Sequence, residues 1–286
     1  MNPTLFASAR TFIYASARLL ERQLFAVLFE DGDPRSVISA LRAYQNPDGG
    51  FGNALESDLR TPVSQPLAAE RAFQTLDLIG RFEPELVLPA CDWLQRVSTA
   101  PGGVPFALPG LEAYPHTPWM QADPQAQLNP TAGLCALLLR NAVRHPWVEL
   151  AAGFCWQRLA SFESDAFHDI LPIVEFIAAA PGDPQRSQAA LEHWRAIAAR
   201  PGVVNYDPQA SGYVKGPLDF APRPDSPLRD LFSAAEIERQ LDALQARQQA
   251  DGGWPINWQA LSPAAEAEWR GWVTLQALLT LRAYGR

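Results

Sequence analysis

The sequence predicts an all-α protein, a single ring of helix pairs that forms an (α/α)5–6 toroid, or barrel. Apolar residues recur at helical spacing along most of the 286 residues, and no segment shows convincing strand alternation. A glycine-bearing turn also returns at intervals of about 50 residues. Because each helix pair of such an array buries its apolar face only against its neighbours, the array has to close on itself or be capped.

The repeated turn is clearest near the two ends of the chain. Residues 48–51 (Asp-Gly-Gly-Phe) return as residues 251–254 (Asp-Gly-Gly-Trp), and Gln45 and Gln248 stand three positions before the aspartates. Weaker copies lie between them, at 101–104 and 201–204. Glycine supplies the positive φ of a helix end, and an aspartate can bond the amides of its own turn. The motif therefore predicts scaffold, not catalysis.

The helices follow in order between these turns. An opening helix or helix pair over 4–30 is predicted to pack on the barrel. The other predicted helices, each bounded by Pro- or Gly-rich turns, span 34–44, 64–79, 83–97, 130–143, 147–159, 167–179, 184–199, 234–248 and 263–284. The predicted N-caps are Ser64, Asp183 and Ser262. We expect one domain over 1–286, with the long loop 205–229 as a lid.

The composition and charge of the chain argue against several classes of function. The formal net charge of −8 gives no basic field for nucleic acid. Cys91, Cys135 and Cys155 are too far apart in sequence to suggest a disulfide framework or a metal knuckle, so we expect a reducing, cytoplasmic setting. No run reaches the roughly 18 apolar residues that a transmembrane helix needs, and the amino-terminal segment lacks the pattern of a secretion signal.

The Gln-x-x-Asp-Gly-Gly-aromatic turns resemble the QW-type repeats of squalene–hopene cyclases and the turns of protein prenyltransferase β subunits, members of the terpenoid cyclase and protein prenyltransferase α/α-toroid superfamily. The resemblance implies an apolar central cavity, an isoprenoid substrate and, for the cyclases, a reaction started by protonation. The chain departs from these families because Asp-x-Asp-Asp, Asp-Asp-x-x-Asp and the zinc-ligand context are all lacking.

The loop that follows the first turn carries the best candidates for acid chemistry. Glu56 and Asp58 stand two positions apart beside Arg60. A carboxylate paired with arginine stays ionised while its neighbour can hold a proton in an apolar site. We therefore interpret Asp58 as the proton donor, with Glu56 and Arg60 tuning it. The alternative is a solvated loop whose carboxylates bond turn amides and Arg60.

Aromatic residues and one histidine in the later loops suit an apolar substrate or a carbocation. The predicted substrate-binding residues are Tyr114, His116, Trp119, Tyr206, Tyr213, Phe220, Trp258 and Trp269. The alternative is that the aromatic side chains fill the barrel mouth and that His116 is a hydrogen-bonded spacer.

Lys215, Arg223 and Arg229 in the long loop are the predicted clamp for a diphosphate or another anion, with a solvated loop as the alternative. No cofactor is expected, except Mg²⁺ if the substrate is a diphosphate. Three functions stay open at this point: a cyclase-like enzyme on an isoprenoid, a non-catalytic lipid, isoprenoid or peptide binding barrel, and a glycan-active barrel. A homodimer would supply a second barrel, as in the two-barrel cyclases.

Overall fold

Helix is the regular secondary structure of this chain. The computed structural model describes residues 2–180 and 182–286, and within them it contains twelve α-helices and no strand beyond isolated bridges. The α-helices are α1 Pro3–Ser16, α2 Leu19–Phe29, α3 Pro34–Arg42, α4 Pro66–Leu78, α5 Pro84–Val97, α6 Leu128–Arg140, α7 Pro146–Leu159, α8 Phe167–Ala179, α9 Pro184–Ala198, α10 Pro217–Phe220, α11 Ala234–Ala246 and α12 Pro263–Ala283. The predicted all-α class is confirmed.

Contacts divide the described chain into two compact units. The central unit comprises residues 32–180 and 182–194, and the terminal unit comprises residues 2–31 and 195–286. The terminal unit therefore joins the first helices of the chain to the last. The predictions of a single domain and of a closed ring remain predictions.

Alternate helices of the central unit pack side by side. Helix α6 contacts α4, α7 and α8, and α5 contacts α7. Helix α6 lies among these neighbours, and its side chains from Leu128 to Leu138 are almost all buried.

In the terminal unit, the first two helices pack with the last. Helix α1 contacts α2 and α12, and α12 also contacts α2 and α11. The opening segment predicted over 4–30 is a helix pair, α1 and α2.

The two sharp copies of the turn make the same contacts. Gln45 Nε2 donates to the carbonyls of Gly49 and Leu86, both at 2.9 Å. Gln248 Nε2 donates to the carbonyls of Gly252 at 2.8 Å and Leu5 at 2.9 Å. Each turn thus bonds to itself and to another helix, α5 in the first copy and α1 in the last. These contacts support the structural interpretation of the motif.

The turn glycines are required by both conformation and space. Gly49 and Gly252 have φ of +91° and +92°. An added Cβ would lie 2.4 Å from the Pro89 carbonyl oxygen in the first turn and 2.1 Å from the Ser8 carbonyl oxygen in the last. Any side chain here would therefore separate the turn from the helix on which it packs.

Two of the three predicted N-caps are present. The Ser262 hydroxyl accepts from the Ala265 amide at 3.2 Å, and the Asp183 carboxylate accepts from the Gln185 amide at 2.9 Å. The prediction for Ser64 is wrong, because α4 begins at Pro66 and the Ser64 hydroxyl donates to Asp48 at 2.8 Å. The Ser64 hydroxyl, which the local sequence assigns to the cap of a helix, is used by the turn motif instead.

Several predicted helix ends overshoot because the last residues belong to the turns. The helix predicted over 34–44 ends at Arg42, and the one predicted over 234–248 ends at Ala246. The helix predicted over 130–143 runs instead from Leu128 to Arg140. The helical spacing of apolar residues extends past the helix ends, because the apolar residues of the turns are packed as well.

The three cysteines are free and buried. Burial raises the pKa of Cys91 and of Cys135 to about 12, and raises the pKa of Cys155 as well. These thiols are therefore neutral at physiological pH and act as small apolar side chains. Across residues 2–180 and 182–286, no group of three or more His, Cys, Asp or Glu side chains is placed to hold a metal ion. None of the helices in those ranges has the length and apolar character to cross a bilayer.

Candidate functional site

The loop from Phe51 to Gln65 folds back on itself and buries its acidic tip. The Ala54 amide donates to the Thr61 carbonyl at 3.2 Å, and the Leu59 amide donates to the Glu56 carbonyl at 3.1 Å. Leu55 and Leu59 are buried and anchor the loop to the apolar interior. The packing of the leucines therefore takes the carboxylates between them out of water.

Glu56 and Asp58 are only 7% and 4% exposed. Glu56 Oε1 accepts from the Asp58 amide at 3.4 Å, and Glu56 Oε2 lies 3.6 Å from Arg71 Nη2. The alternative of a solvated loop is therefore wrong in its exposure, although Glu56 does bond a turn amide as that alternative expects. The arginine that contacts Glu56 here is Arg71 of α4. Arg60 is half-buried, and its amide donates to the Pro115 carbonyl at 2.9 Å.

The loop over 104–127 lies against the acidic loop. The Thr117 amide donates to the Asp58 carbonyl at 3.0 Å, and Trp119 Nε1 donates to Asp58 Oδ2 at 3.2 Å. Trp119 is nevertheless 48% exposed, so its ring is presented to solvent while its N–H is fixed by a buried carboxylate. Two predicted site residues from separate loops are thus brought together. His116 Nδ1 lies 2.7 Å from the Tyr114 carbonyl oxygen, which fits the interpretation of His116 as a spacer.

Glu70 is the acidic residue that sequence reasoning missed. It lies on α4 beside Arg71 and is half-buried. An added Cβ on Gly133 of α6 would lie 2.0 Å from Glu70 Oε1 and 3.5 Å from Pro172 Cβ of α8. The carboxyl group therefore occupies the space that the missing side chain of Gly133 leaves open.

Burial controls the ionisation of Glu70. Burial raises the pKa of this carboxyl, Arg71 lowers it and Glu56 raises it, and the net pKa is about 7. The causes follow from ordinary electrostatics, because a low-dielectric setting and a like charge both disfavour the carboxylate. The signal in the sequence was an isolated glutamate among Ala68, Ala69, Ala72 and Phe73, all of them buried residues of α4.

We refer to Glu56, Asp58, Glu70 and Arg71 as the acid cluster. Glu56 contacts both Arg71 and the Asp58 amide. Two carboxyl groups of this cluster therefore have different surroundings: Asp58 accepts an indole N–H, whereas no hydrogen bond to Glu70 is made by the residues that the structure describes. Such a difference in surroundings separates an acid from its conjugate-base partner.

The terminal unit brings together three of the predicted aromatic residues. The Tyr213 and Trp258 ring centroids lie 5.5 Å apart, and those of Trp258 and Trp269 lie 5.1 Å apart, both pairs edge to face. Asn257 Nδ2 donates to the Val214 carbonyl at 3.2 Å and ties the two segments together. Trp258 Nε1 is buried without a hydrogen-bond partner among the described residues.

The remaining predicted site residues also belong to the terminal unit, and Lys215 Nζ lies 5.5 Å from the Tyr213 ring centroid. Phe220 is 3% exposed and belongs to the core, whereas Tyr206 is 45% exposed and lies edge to face with Phe232 at 6.1 Å. Lys215 pairs with Asp219 at 3.2 Å, and Arg223 pairs with Asp225 at 3.1 Å. The third cation of the predicted anion clamp, Arg229, donates to the Phe232 carbonyl at 2.6 Å.

The terminal unit also contains a buried carboxylate, that of Glu21, which forms a structural ion pair. Glu21 is fully buried, and Arg18 contacts it through Nε at 3.0 Å and through Nη2 at 2.6 Å. Glu268 lies 3.7 Å from the same guanidinium. The two-pronged contact satisfies the buried charge, as a buried carboxylate requires.

Comparison with known proteins adds no assignment, since no family model and no curated protein matches this chain. The chemistry of the site has to be argued from its own residues. A carboxyl with a pKa of about 7 can donate a proton at neutral pH, and a neighbouring arginine can stabilise the anion that remains.

Proposed function

We propose that this protein is a terpene-cyclase-like enzyme that acts on an isoprenoid or similarly apolar substrate, and that the acid cluster starts the reaction by proton transfer. The observation that carries the proposal is Glu70, a half-buried carboxyl with a pKa of about 7 beside the Glu56–Arg71 contact. The toroid and its apolar central cavity are part of this proposal, and the turn motif is the observation that supports them.

Glu70 replaces Asp58 as the proposed proton donor. Asp58 accepts the Trp119 N–H, so one of its oxygens is already committed to a contact with the neighbouring loop. Glu70 has no such donor among the described residues and holds its proton near neutral pH. A general acid works best when its pKa lies near the working pH.

The proton that starts the reaction leaves Glu70 and returns to it. The Glu70 O–H bond breaks, the π electrons of the substrate alkene form a C–H bond, and a carbocation remains. The Glu70 carboxylate left behind is stabilised by Arg71, which already lowers its pKa. Loss of a proton from the final carbocation to that carboxylate restores the acid.

Trp119 is the aromatic side chain best placed to assist. Its ring is half-exposed, and its N–H is bound to Asp58. An aromatic face attracts a cation by roughly 0.5–2 kcal/mol, depending on its exposure to water. In the terminal unit, the rings of Tyr213, Trp258 and Trp269 offer a separate apolar surface suited to the same class of ligand.

The test is product analysis by gas chromatography and mass spectrometry after incubation with squalene, farnesol and farnesyl diphosphate. We expect a cyclised product from at least one of them. Glu70→Gln should lower turnover about 10²–10⁴-fold, the usual contribution of a general acid. Glu85→Gln, at an exposed site on α5, is the matched control and should keep full activity. Formation of no product, or full activity of Glu70→Gln, would contradict the proposal.

A non-catalytic binding barrel is the second candidate, favoured by the fixed contacts of the loop carboxylates. Glu56 is held by Arg71 and by the Asp58 amide, and Asp58 is held by Trp119. Carboxylates fixed in this way can serve as a rigid rim. This function predicts that the protein retains an isoprenoid in native mass spectrometry and releases it unchanged.

A further inference from the structure

We propose that the terminal unit contains a binding site for a neutral carbohydrate, a β-linked chain of pyranoses with equatorial hydroxyls, formed by the rings of Tyr213, Trp258 and Trp269. We refer to these three rings as the aromatic group. The inference does not rest on the proposed function, because every residue that it uses belongs to the terminal unit and none to the acid cluster. Three features support it: the exposure of the rings, the ion pair beside them and the charge balance of the unit.

The aromatic group is partly open to solvent. Tyr213 is 46% exposed, and Trp258 and Trp269 are half-buried. Neighbouring rings stand nearly at right angles, with interplanar angles of 73° for the first pair and 85° for the second, so the group presents both faces and edges. Exposed aromatic surface of this kind on a folded chain is typical of a ligand site.

The polar edge of Trp258 is turned into the protein. Its Nε1 is buried and has no hydrogen-bond partner among the described residues, although the residue as a whole is half-buried. A ligand therefore meets this indole through its ring carbons. The negative face of an aromatic ring attracts polarised C–H groups. A pyranose with equatorial hydroxyls carries axial C–H groups on its faces, so it can stack on such a ring while its hydroxyls point sideways.

An ion pair beside the Tyr213 ring sets the charge of the ligand. Lys215 Nζ lies 5.5 Å from the Tyr213 ring centroid and 3.2 Å from Asp219 Oδ1. A cationic ligand on this ring would meet the ammonium, and an anionic ligand would meet the carboxylate. A hydroxyl both donates and accepts, so it can bond to either group. The rings alone would suit an isoprenoid equally well, and the ion pair is what favours a ligand rich in hydroxyls.

Hydrogen bonds fix the polar groups at this site. The Gly216 amide donates to Asp219 Oδ2 at 2.8 Å. Asn257 Nδ2 donates to the Val214 carbonyl at 3.2 Å, which joins two of the segments that carry the rings. The carboxamide oxygen of Asn257 is a further acceptor for a hydroxyl. A site that is fixed in this way loses less conformational entropy when a ligand binds.

The terminal unit as a whole is electrically balanced. Residues 2–31 and 195–286 contain thirteen Lys or Arg and thirteen Asp or Glu, so the formal charge of −8 belongs to the central unit. The charges of the terminal unit therefore favour neither a cationic nor an anionic ligand. A neutral ligand is the class that fits both the local ion pair and this balance.

The test is isothermal titration calorimetry with three tetrasaccharides that share a β-1,4-linked pyranose backbone: neutral cellotetraose, the cationic tetramer of glucosamine and the anionic tetramer of glucuronic acid. We expect cellotetraose to bind most tightly. Tyr213→Ala should weaken that binding about tenfold, equivalent to roughly 1.4 kcal/mol, whereas Tyr213→Phe keeps the ring and should stay within about threefold of wild type. Tyr206→Ala is the matched control, since Tyr206 is 45% exposed and packs on Phe232 instead.

Lys215→Met tests the charge argument separately. Removal of the ammonium leaves the Asp219 carboxylate beside the Tyr213 ring. The glucosamine tetramer should then bind more tightly than cellotetraose, which reverses the wild-type order. An equal loss of affinity for all three tetramers would contradict this role of the ion pair.

Binding of none of the tetramers, tighter binding of a charged tetramer by the wild type, or full cellotetraose affinity in a folded Tyr213→Ala variant would overturn the inference. Farnesol binding that Tyr213→Ala abolishes, without binding of cellotetraose, would do so as well. The catalytic proposal is tested by product formation and by Glu70→Gln, so either proposal can fail without the other.

Discussion

At the scale of the residue, the chemistry depends on the surroundings of each carboxyl, not on its position in a motif. Asp58 and Glu70 are both carboxylic acids near Glu56 and Arg71. One accepts an indole N–H at 3.2 Å, and the other lies on a glycine of the next helix with its pKa raised to about 7. Their surroundings differ in the hydrogen bond that Asp58 accepts and that Glu70 lacks among the described residues, since Asp58 is itself only 4% exposed.

Gly133→Ala tests the placement of Glu70. The new Cβ would lie 2.0 Å from Glu70 Oε1, the end of a flexible side chain that can move away. We expect the free energy of unfolding in urea to stay within about 1 kcal/mol of wild type or rise, because alanine favours helix by about 0.5–1 kcal/mol. The Glu70 carboxyl should move away from α6, and its pKa should fall towards the ordinary glutamate value. A Glu70 pKa that stays at about 7 in this variant would contradict the role of Gly133 in placing the carboxyl.

Sequence reasoning found the acidic loop but not its partners. The pair Glu56 and Asp58 is visible in sequence, and so is the adjacent Arg60. Glu70 and Arg71 belong to a different element, and Arg71 meets Glu56 only when the loop packs against α4. Local spacing carries no information about such a contact, so Arg60 was the expected ion partner and Arg71 was missed.

At the scale of the element, the repeated turn is the feature that sequence predicts best. Its glutamine, aspartate and two glycines each make a local contact that depends on residue type, and the two copies repeat these contacts within about 0.1 Å. Helix ends were predicted less well, since the turn uses side chains such as Ser64 that would otherwise cap a helix.

Gly49→Ala tests the element directly. Alanine at φ +91° costs about 1–2 kcal/mol, and its Cβ would also lie 2.4 Å from the Pro89 carbonyl oxygen. Gly110→Ala is the matched control, since Gly110 has φ +97° and nothing within 4 Å of an added Cβ. We expect Gly49→Ala to lower the free energy of unfolding by at least about 1 kcal/mol more than the control. Equal losses in chemical denaturation would show that the turn does not depend on its contact with α5.

At the scale of the whole molecule, Glu70 and the surface carboxylates give opposite pH dependences. A glutamate with its folded-state pKa raised from 4.5 to about 7 contributes stability that is full below about pH 4.5 and is lost as the pH rises through 7. Asp251 acts the other way, because its hydrogen bond from Arg270 lowers its pKa. That contribution is present above the ordinary aspartate pKa and is lost as the pH falls through the lowered value.

The stability of Glu70→Gln follows from this balance. We expect the variant to match wild type near pH 4.5 and to be more stable at pH 8, by at most about 3 kcal/mol. Thermal unfolding across pH 4.5–8 measures the difference. A difference in stability between variant and wild type that is the same at pH 4.5 and at pH 8 would show that Glu70 ionises as an ordinary glutamate.

The all-α class could be predicted from the sequence because helical spacing and turn chemistry are local properties. The grouping of Tyr213, Trp258 and Trp269 could be predicted only as a set of aromatic residues, since their contacts depend on how the long loop lies on the segment before α12. Ring closure and substrate class depend on tertiary arrangement, which a turn motif does not specify.

The most direct measurement of the central claim is a carbon-13 NMR titration of the glutamate side-chain carboxyls, with the Glu70 signal assigned by its loss in Glu70→Gln. We expect this signal to titrate with a midpoint near pH 7 in the wild type and to move towards the ordinary glutamate value in Gly133→Ala. A wild-type midpoint near 4.5 would contradict it, because Glu70 would then be ionised at neutral pH and have no proton to give.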